Sequence, residues 1–205
     1  MRKFVISVCV LLSGLAMAKA SYAELPAGKF RLHMSQTFVE VATGEVNPDG
    51  LDNREYGGLE IGVGMDRMGF GFGFALGGKL LLGAKVSLGQ ESGDWHPGSE
   101  EDHFQISGIP YLEFVFLTTR IRPFAKVMLG IEGARWEDGG GFWGLVMGGG
   151  GGLHFFLAPS VSIDADLELG FRFGTGHWDE SPAPDRDFSH WRFSFATLVG
   201  LSAWL

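Results

Sequence analysis

The chain has 205 residues and a formal net charge of −8, with 33 glycines, 18 phenylalanines and a single cysteine. Acidity of this degree argues against a nucleic-acid partner, and one cysteine excludes a small disulfide scaffold. The glycines show neither a collagen period nor the low aromatic content of a flexible linker, and the length fits one domain.

The first expected element is a leader. Arg2 and Lys3 precede an apolar run from Phe4 to Met17, followed by the small residues Ala18, Ala20, Ser21 and Ala23. This pattern reads as a secretory signal peptide over residues 1–23, with cleavage after Ala23 preferred to cleavage after Ala20. An uncleaved anchor is the alternative, but the apolar core is short. Cleavage removes Arg2, Lys3 and Lys19, leaving 13 basic residues against 24 acidic ones and a net charge of −11. Cys9 lies inside the apolar core rather than after it, so it is not a lipidation site and the mature domain, 24–205, has no cysteine. No second apolar segment is long enough for a membrane-spanning helix.

Period-two alternation then recurs along the chain. A first strand over about 28 to 40 sets Phe30, Leu32, Met34 and Phe38 against Lys29, Arg31, His33 and Ser35. A second begins near Tyr56, with Leu59, Ile61, Val63 and Met65 opposite Glu60 and Asp66. After Met65 the apolar phase slips: Phe70, Phe72 and Phe74 share parity with Glu60. A bulge near Asp66 to Gly69 would restore their direction, whereas a turn there would change the strand count. In the third strand Leu80, Leu82, Ala84, Val86 and Leu88 oppose Lys85 and Ser87. In the fourth, Phe104, Ile106, Leu112, Phe114 and Phe116 oppose Gln105, Ser107, Tyr111 and Glu113.

The fifth strand sets Ala125, Val127, Leu129 and Ile131 against Arg122, Lys126 and Glu132. The sixth carries Trp143, Leu145, Met147, Leu153 and Phe155, but the run Gly148 to Gly152 erases its register. Val161 to Gly174 is the clearest strand: Val161, Ile163, Ala165, Leu167, Leu169, Phe171 and Phe173 alternate with Ser162, Asp164, Asp166, Glu168 and Arg172. At about fourteen residues it exceeds the usual strand of a soluble sandwich and is long enough to cross a bilayer at a tilt. The last strand runs from Trp191 to the carboxyl terminus, with Phe193, Phe195, Val199, Leu201 and Leu205 on one face.

Eight strands with an even return of the chain ends predict an all-β, antiparallel, up-and-down transmembrane barrel. The connections alternate in length. Segments 41–55, 91–103, 134–141 and 175–190 are long or polar, while those at Gly77-Gly78, Thr118-Thr119 and Pro159-Ser160 are short. Long outer loops and short periplasmic turns are the usual asymmetry of such barrels. Trp95, Trp136, Trp143, Trp178 and Trp191 fall near the long-loop ends and Trp204 near the other, as expected of two interfacial belts. Strand glycines such as Gly69, Gly71 and Gly73 relieve crowding on the inner wall.

In this architecture the chain resembles the small bacterial outer-membrane β-barrels of the OmpA-transmembrane-domain, OmpX and OmpW type, over essentially all of the mature domain. Its ending, Phe195 to Leu205, resembles the signal read by the barrel-assembly machinery, with Gly200 five positions before the apolar terminus and Trp204 next to Leu205. It departs from that pattern in ending on leucine rather than an aromatic residue. The resemblance implies location in the outer membrane, with lipid, lipopolysaccharide and the assembly machinery as partners, and it implies no chemistry.

The polar parity collects Arg31, Glu60, Lys85, Glu113, Arg122, Lys126, Glu132, Asp164, Asp166, Glu168, Arg172 and Arg192. Both signs are present and an unpaired charge in a confined interior is costly, so these residues are expected to form a paired network filling a narrow lumen. A narrow, porin-like channel for small solutes or apolar ligands is the alternative. His33-Met34-Ser35 loosely resembles the His-x-Ser arrangement of outer-membrane lipid A deacylases, yet spacing names no acid to orient the histidine. His96 and His103 bracket Glu100-Glu101-Asp102, and His177 lies near Asp179 and Glu180, without the ligand order of a calcium loop. These read as solvated acidic loops, with ion bridges to lipopolysaccharide phosphates as the binding alternative. Neither Gly139-Gly140-Gly141 nor Gly148 to Gly152 leads into the Lys-Ser/Thr of a phosphate loop. The sequence thus points to a monomeric barrel with a structural or surface-interaction role, no catalytic residues, no metal and no cofactor.

Overall fold

A computed structural model describes residues 27–50, 52–61, 67–92, 102–116, 119–136, 140–178 and 186–205. The expected signal peptide, Asp66, Trp95, His96, the Glu100-Glu101 pair, Gly139, Asp179 and Glu180 lie outside these residues, as do the side chains of Glu60, Met68, His103, Trp136 and Trp178. The strands are β1 (Phe30–Pro48), β2 (Arg54–Ile61), β3 (Arg67–Gly77), β4 (Leu80–Ser92), β5 (Asp102–Val115), β6 (Ile121–Trp136), β7 (Gly141–Ala158), β8 (Val161–Trp178) and β9 (Arg186–Trp204).

Each strand from β3 to β9 pairs antiparallel with the next, and β9 closes on β1 from Arg31↔Trp204 to Pro48↔Phe188. On its other edge β1 pairs with β2 at Val39↔Ile61 through Val46↔Arg54, and with β3 at Phe30↔Phe74 through Gln36↔Met68. Thus β2 and β3 occupy one wall position, and the wall is an eight-stranded meander closed into a barrel. The β9–β1 pairing closes the wall, and among the described residues β2 is paired on its β1 side.

The phase slip seen in the sequence has a partner in β1. A bulge between Thr37 and Val39 moves the inward set from Arg31, His33 and Ser35 to Glu40, Gly44 and Val46. At the same level the β1 register passes from β3 to β2, and Phe70, Phe72 and Phe74 face outward as the slip requires. One extra residue in one strand reverses its alternation, so its neighbour must reverse too if both are to keep an apolar outer face.

Strand lengths correct the expected loops. β1 continues to Pro48, β4 to Ser92 and β8 to Trp178, while β5 begins at Asp102 and β9 at Arg186. Much of the segments expected as loops at 41–55 and 175–190 is therefore wall that stands above the membrane band. The apolar alternation fades there because outward positions carry polar residues such as Thr43 and Thr175, both exposed. Asn47-Pro48-Asp49-Gly50 closes β1 onto β2 with Gly50 at φ +76. At the opposite end Gly77, at φ +152, starts the tight turn into β4.

The outer face is apolar. Leu82, Phe114, Val127, Leu145, Leu167, Leu169, Phe193 and Leu201 are all exposed, inverting the distribution of a soluble protein. On β8 this band runs from Ile163 to Phe173, about 25 Å at the rise and tilt of a barrel strand, which matches the outer-membrane hydrocarbon layer. Trp143, at 66% exposure, pairs with Thr175 just beyond this band, and at the band's margin Phe171 lies against Phe173 and Trp191. Trp191 also donates to Glu45 Oε2 at 3.2 Å. Trp204 departs from the expected interfacial belt: it points into the lumen and is 1% exposed.

Candidate functional site: the lumen

The inward faces of the strands fill the barrel in tiers. The tier nearest the periplasmic turns is built around Arg31 on β1, whose two terminal nitrogens donate to Glu113 Oε1 and Oε2 on β5, both at 3.1 Å. This fork-to-carboxylate geometry is the strong form of an ion pair. Arg31 Nη2 also donates to Tyr111 Oη at 2.7 Å, and the guanidinium lies 5.2 Å from the Trp204 ring centroid. His154 on β7 sits between two carboxylates, with Nδ1 2.8 Å from Asp164 Oδ1 and Nε2 3.0 Å from Glu113 Oε1. Asp164 further accepts from Ser162 Oγ at 2.7 Å and from Ser202 Oγ, and lies 3.1 Å from His33 Nδ1. Trp204 Nε1 donates to Ser162 Oγ at 3.0 Å, tying the chain end into the tier.

In the middle tier Lys126 Nζ on β6 reaches Asp166 Oδ2 at 2.8 Å and Glu168 Oε1 at 2.6 Å, and Lys85 on β4 reaches Glu168 at 3.5 Å. Asp166 and Glu168 stand two apart on β8, so their side chains share one face and both meet the same ammonium. Above them Arg172 Nε lies 3.3 Å from Glu132, which also accepts from Gln105 Nε2 at 3.2 Å. Arg192 on β9 donates to Glu40 on β1 at 2.8 Å. Arg122 is buried at the periplasmic end, donates from Nε to the Thr119 carbonyl at 3.0 Å and covers the Phe156 ring at 4.2 Å.

Apolar groups close the stack at both ends. Leu81, Val115, Phe124, Phe156 and Trp204 are buried toward the periplasmic turns, and Val46, Ala134, Phe142 and Phe188 toward the outer rim. Inner-wall glycines act as sockets for inward rings. A Cβ on Gly83 would lie 2.3 Å from Tyr111 Cζ, one on Gly200 2.5 Å from His33 Cε1, and one on Gly176 2.1 Å from Phe188 Cζ. In the five-glycine run of β7, Cβ atoms on Gly148, Gly150 and Gly152 would run into the carbonyl oxygens of Leu169, Leu167 and Ala165, so the run lets β7 lie tightly on β8.

Of the residues expected in the lumen network, Arg31, Glu113 and Asp164 meet in the first tier, Lys85, Lys126, Asp166 and Glu168 in the second, and Glu132 and Arg172 in the third. Arg192 pairs with Glu40, a residue outside the expected set. Glu60 is the register partner of Glu40, and its side chain lies outside the described residues. Sequence reasoning missed Glu40, which lies beyond the β1 bulge, and His154, which lies just past the glycine run. Counting back one position from the outward Phe155 would have placed His154 inward. Gly200 holds space for His33, and Leu205 is exposed next to the buried Trp204. His33 meets Ser202 Oγ at 3.0 Å rather than Ser35. This Ser-His-Asp contact is buried within the lumen. Among the described residues no cluster of three or more histidine, cysteine or acidic side chains is arranged to hold a metal.

A closed eight-stranded meander with an apolar exterior and a charged, side-chain-filled interior is the fold of the small outer-membrane β-barrels of the OmpA-transmembrane-domain, OmpX and OmpW type. Solved structures are similar to it. The solid-state NMR structure of the outer membrane protein AlkL in DMPC bilayers superposes with a TM-score of 0.56 at 13% identity, covering 92% of this chain and 95% of AlkL. OprG from Pseudomonas aeruginosa gives 0.49 at 12% identity, covering 86% of this chain and 97% of its own. Neisserial surface protein A gives 0.44 at 12% identity, with 86% and 98% covered. No protein-family model and no curated protein sequence matches the chain.

Proposed function

We propose that this protein is a monomeric bacterial outer-membrane barrel with a structural or surface-interaction role, exported through a cleaved signal peptide at residues 1–23. The observation that carries this reading is charge balance inside a filled lumen. Among the described residues six inward arginines and lysines (Arg31, Lys85, Arg122, Lys126, Arg172 and Arg192) stand beside six inward carboxylates (Glu40, Glu113, Glu132, Asp164, Asp166 and Glu168), and ion pairs engage Arg31, Lys85, Lys126, Arg172, Arg192 and all six carboxylates, between apolar clusters at both ends. Paired side chains packed across the lumen favour a closed interior over a water-filled permeation path. The variable chemistry then falls to the outer rim, where Asp49, Asp52, Glu55 and Asp187 are exposed. Lipid and lipopolysaccharide are the expected surroundings, with the segment ending at Gly200, Trp204 and Leu205 read by the assembly machinery. Planar-bilayer recording of the purified protein tests the closed lumen: silence is expected, and reproducible single-channel steps overturn it. Fractionation tests location: the protein should stay in carbonate-washed outer membranes and migrate heat-modifiably on gels, and a freely soluble protein would defeat the assignment.

A narrow channel for small apolar ligands is the second reading, favoured by an open recess of about 600 Å³ at the outer rim bounded by Phe142, Trp143 and Phe188. The first reading is preferred because Phe142 and Phe188 belong to the cluster that closes the lumen below that recess. We propose no enzymatic role. Lipid A masses in cells carrying His33→Ala should equal those with the native protein, and a His33-dependent mass change would reverse this.

A further inference from the structure

The two ends of the barrel carry opposite charge. The periplasmic turns at 77–79, 117–120 and 159–160 contain Lys79 and Arg120 and no aspartate or glutamate, whereas Asp49, Asp52, Glu55 and Asp187 are exposed at the outer rim. Within the basic end Arg120 differs from the exposed Lys79 in being held. Its carbonyl accepts from Phe156 N at 2.9 Å, its Nε donates back to the Phe156 carbonyl at 3.0 Å, and its Cζ lies 4.9 Å from the Phe155 ring centroid. Phe155 points outward, and its register neighbours Ile121 on β6 and Ile163 on β8 are exposed beside it. The guanidinium thus sits on the outside of the wall, at the periplasmic edge of the apolar band. With Nε and one ring face engaged, Nη1 and Nη2 have no partner among the described residues.

This placement selects the ligand. A guanidinium fork matches two oxygens of one anionic group, and such charge-assisted bonds strengthen where water is scarce. A free anion would gain nothing from the apolar wall beside the fork. A phospholipid gains from both, its phosphodiester oxygens meeting Nη1 and Nη2 while an acyl chain lies along Ile121, Phe155 and Ile163. Lipopolysaccharide phosphates belong to the other end, where the exposed carboxylates would repel them. We propose that Arg120 and the wall around Phe155 form a binding site for one phospholipid of the periplasmic leaflet. An anionic headgroup is favoured, because Lys29 and Lys79 add positive charge at the same end. A side chain already fixed by Phe155 and Phe156 gives up little rotamer freedom on binding, which a free lysine does not offer. The site rests on the outer-membrane reading, since a soluble barrel would meet no leaflet at this edge.

Titration of the purified protein in dodecyl maltoside with phosphatidylglycerol, read by native mass spectrometry, tests it. The first lipid should bind more tightly than those that follow. Arg120→Gln should weaken that first event about tenfold, the worth of a charge-assisted hydrogen bond, while Lys79→Gln should change it much less. Arg120→Lys, which keeps the charge and loses the fork, should not restore the native affinity. Heat-modifiable migration establishes that each variant is folded; if Arg120→Gln does not fold, Phe155→Leu, which removes the ring beneath the guanidinium, should weaken the first event in its place. Equal effects of Arg120→Gln and Lys79→Gln would mean diffuse rim charge and overturn the site. Inorganic phosphate that displaces the lipid at equal concentration would overturn the lipid assignment in favour of a free anion. A native-like first event in folded Arg120→Gln, with the protein retained in carbonate-washed outer membranes, would reject the site and leave the outer-membrane reading standing.

Discussion

Arg31→Met should destabilise the barrel more than most single substitutions. Arg31 and Glu113 are 3% and 1% exposed and share two hydrogen bonds of 3.1 Å, so removing the cation leaves a buried carboxylate that has lost its bidentate partner and keeps His154. Breaking a buried pair from one side costs about 3–5 kcal/mol. Methionine retains part of the contact with Tyr111 and Trp204, so the lost cation–π term adds no more than about 1 kcal/mol. A loss near 4 kcal/mol lowers the folded-to-unfolded ratio by roughly a thousandfold. Replacing both partners, Arg31→Met with Glu113→Leu, should recover about 2 kcal/mol or more, because the second change removes the stranded charge. Equilibrium urea unfolding in lipid vesicles, followed by tryptophan fluorescence, gives the three free energies of the cycle. The reasoning fails if Arg31→Met costs less than about 1 kcal/mol, or if the double variant loses as much as the sum of the single ones.

Other substitutions probe the remaining layers of the argument. Leu167 is 52% exposed in the middle of β8, so Leu167→Arg should cost about 2–4 kcal/mol in bilayers, while Thr175→Arg near the rim should cost about 0–1; equal small effects would mean that this face meets water. Gly83→Ala drives a methyl into Tyr111 and to 2.6 Å from the Phe72 carbonyl, for about 1–3 kcal/mol, whereas Gly108→Ala meets nothing within 4 Å and should be nearly neutral. The same vesicle unfolding measures both, and parity between them would remove the socket explanation. Trp204→Ala should lose about 3–5 kcal/mol through the cavity it leaves, yet remain silent in planar bilayers because all three charged tiers persist. Steps from that variant would locate the permeation barrier in the periplasmic plug.

How much of this was legible depended on whether a residue's facing could be counted from its neighbours. In β8 every second residue from Ile163 to Phe171 is exposed and the alternation is unbroken, so Asp164, Asp166 and Glu168 were readable as one inward row. The same held for Lys85, Glu113, Arg122 and Lys126. Counting failed where its premise failed. Glu40 lies past a bulge that reverses parity, and His154 lies past five residues with no side chain to report a face. Trp204 was misread as interfacial because an aromatic near a strand end fits either side of the wall, and one position of parity decides. Tyr111 was placed correctly, but its bond to Arg31 spans the lumen and is invisible to any local pattern.

The pairing in the lumen also explains why the sequence speaks of place more clearly than of activity. A residue available for chemistry leaves a trace in the pattern only if it is an exception, such as an unmatched charge or a polar group on the apolar face. Here the inward charges pair with one another across the lumen, and His33, which with Ser35 formed a nucleophile-like motif, is taken up by Ser202 and Asp164. Bonds that satisfy these groups also hold opposite walls together, as Arg31 on β1 does with Glu113 on β5 and Lys126 on β6 with Glu168 on β8. A lumen built this way stiffens the barrel and commits its polar side chains internally. On the proposed surface role, freedom to vary lies in the rim, where carboxylates such as Asp49 and Asp187 are exposed.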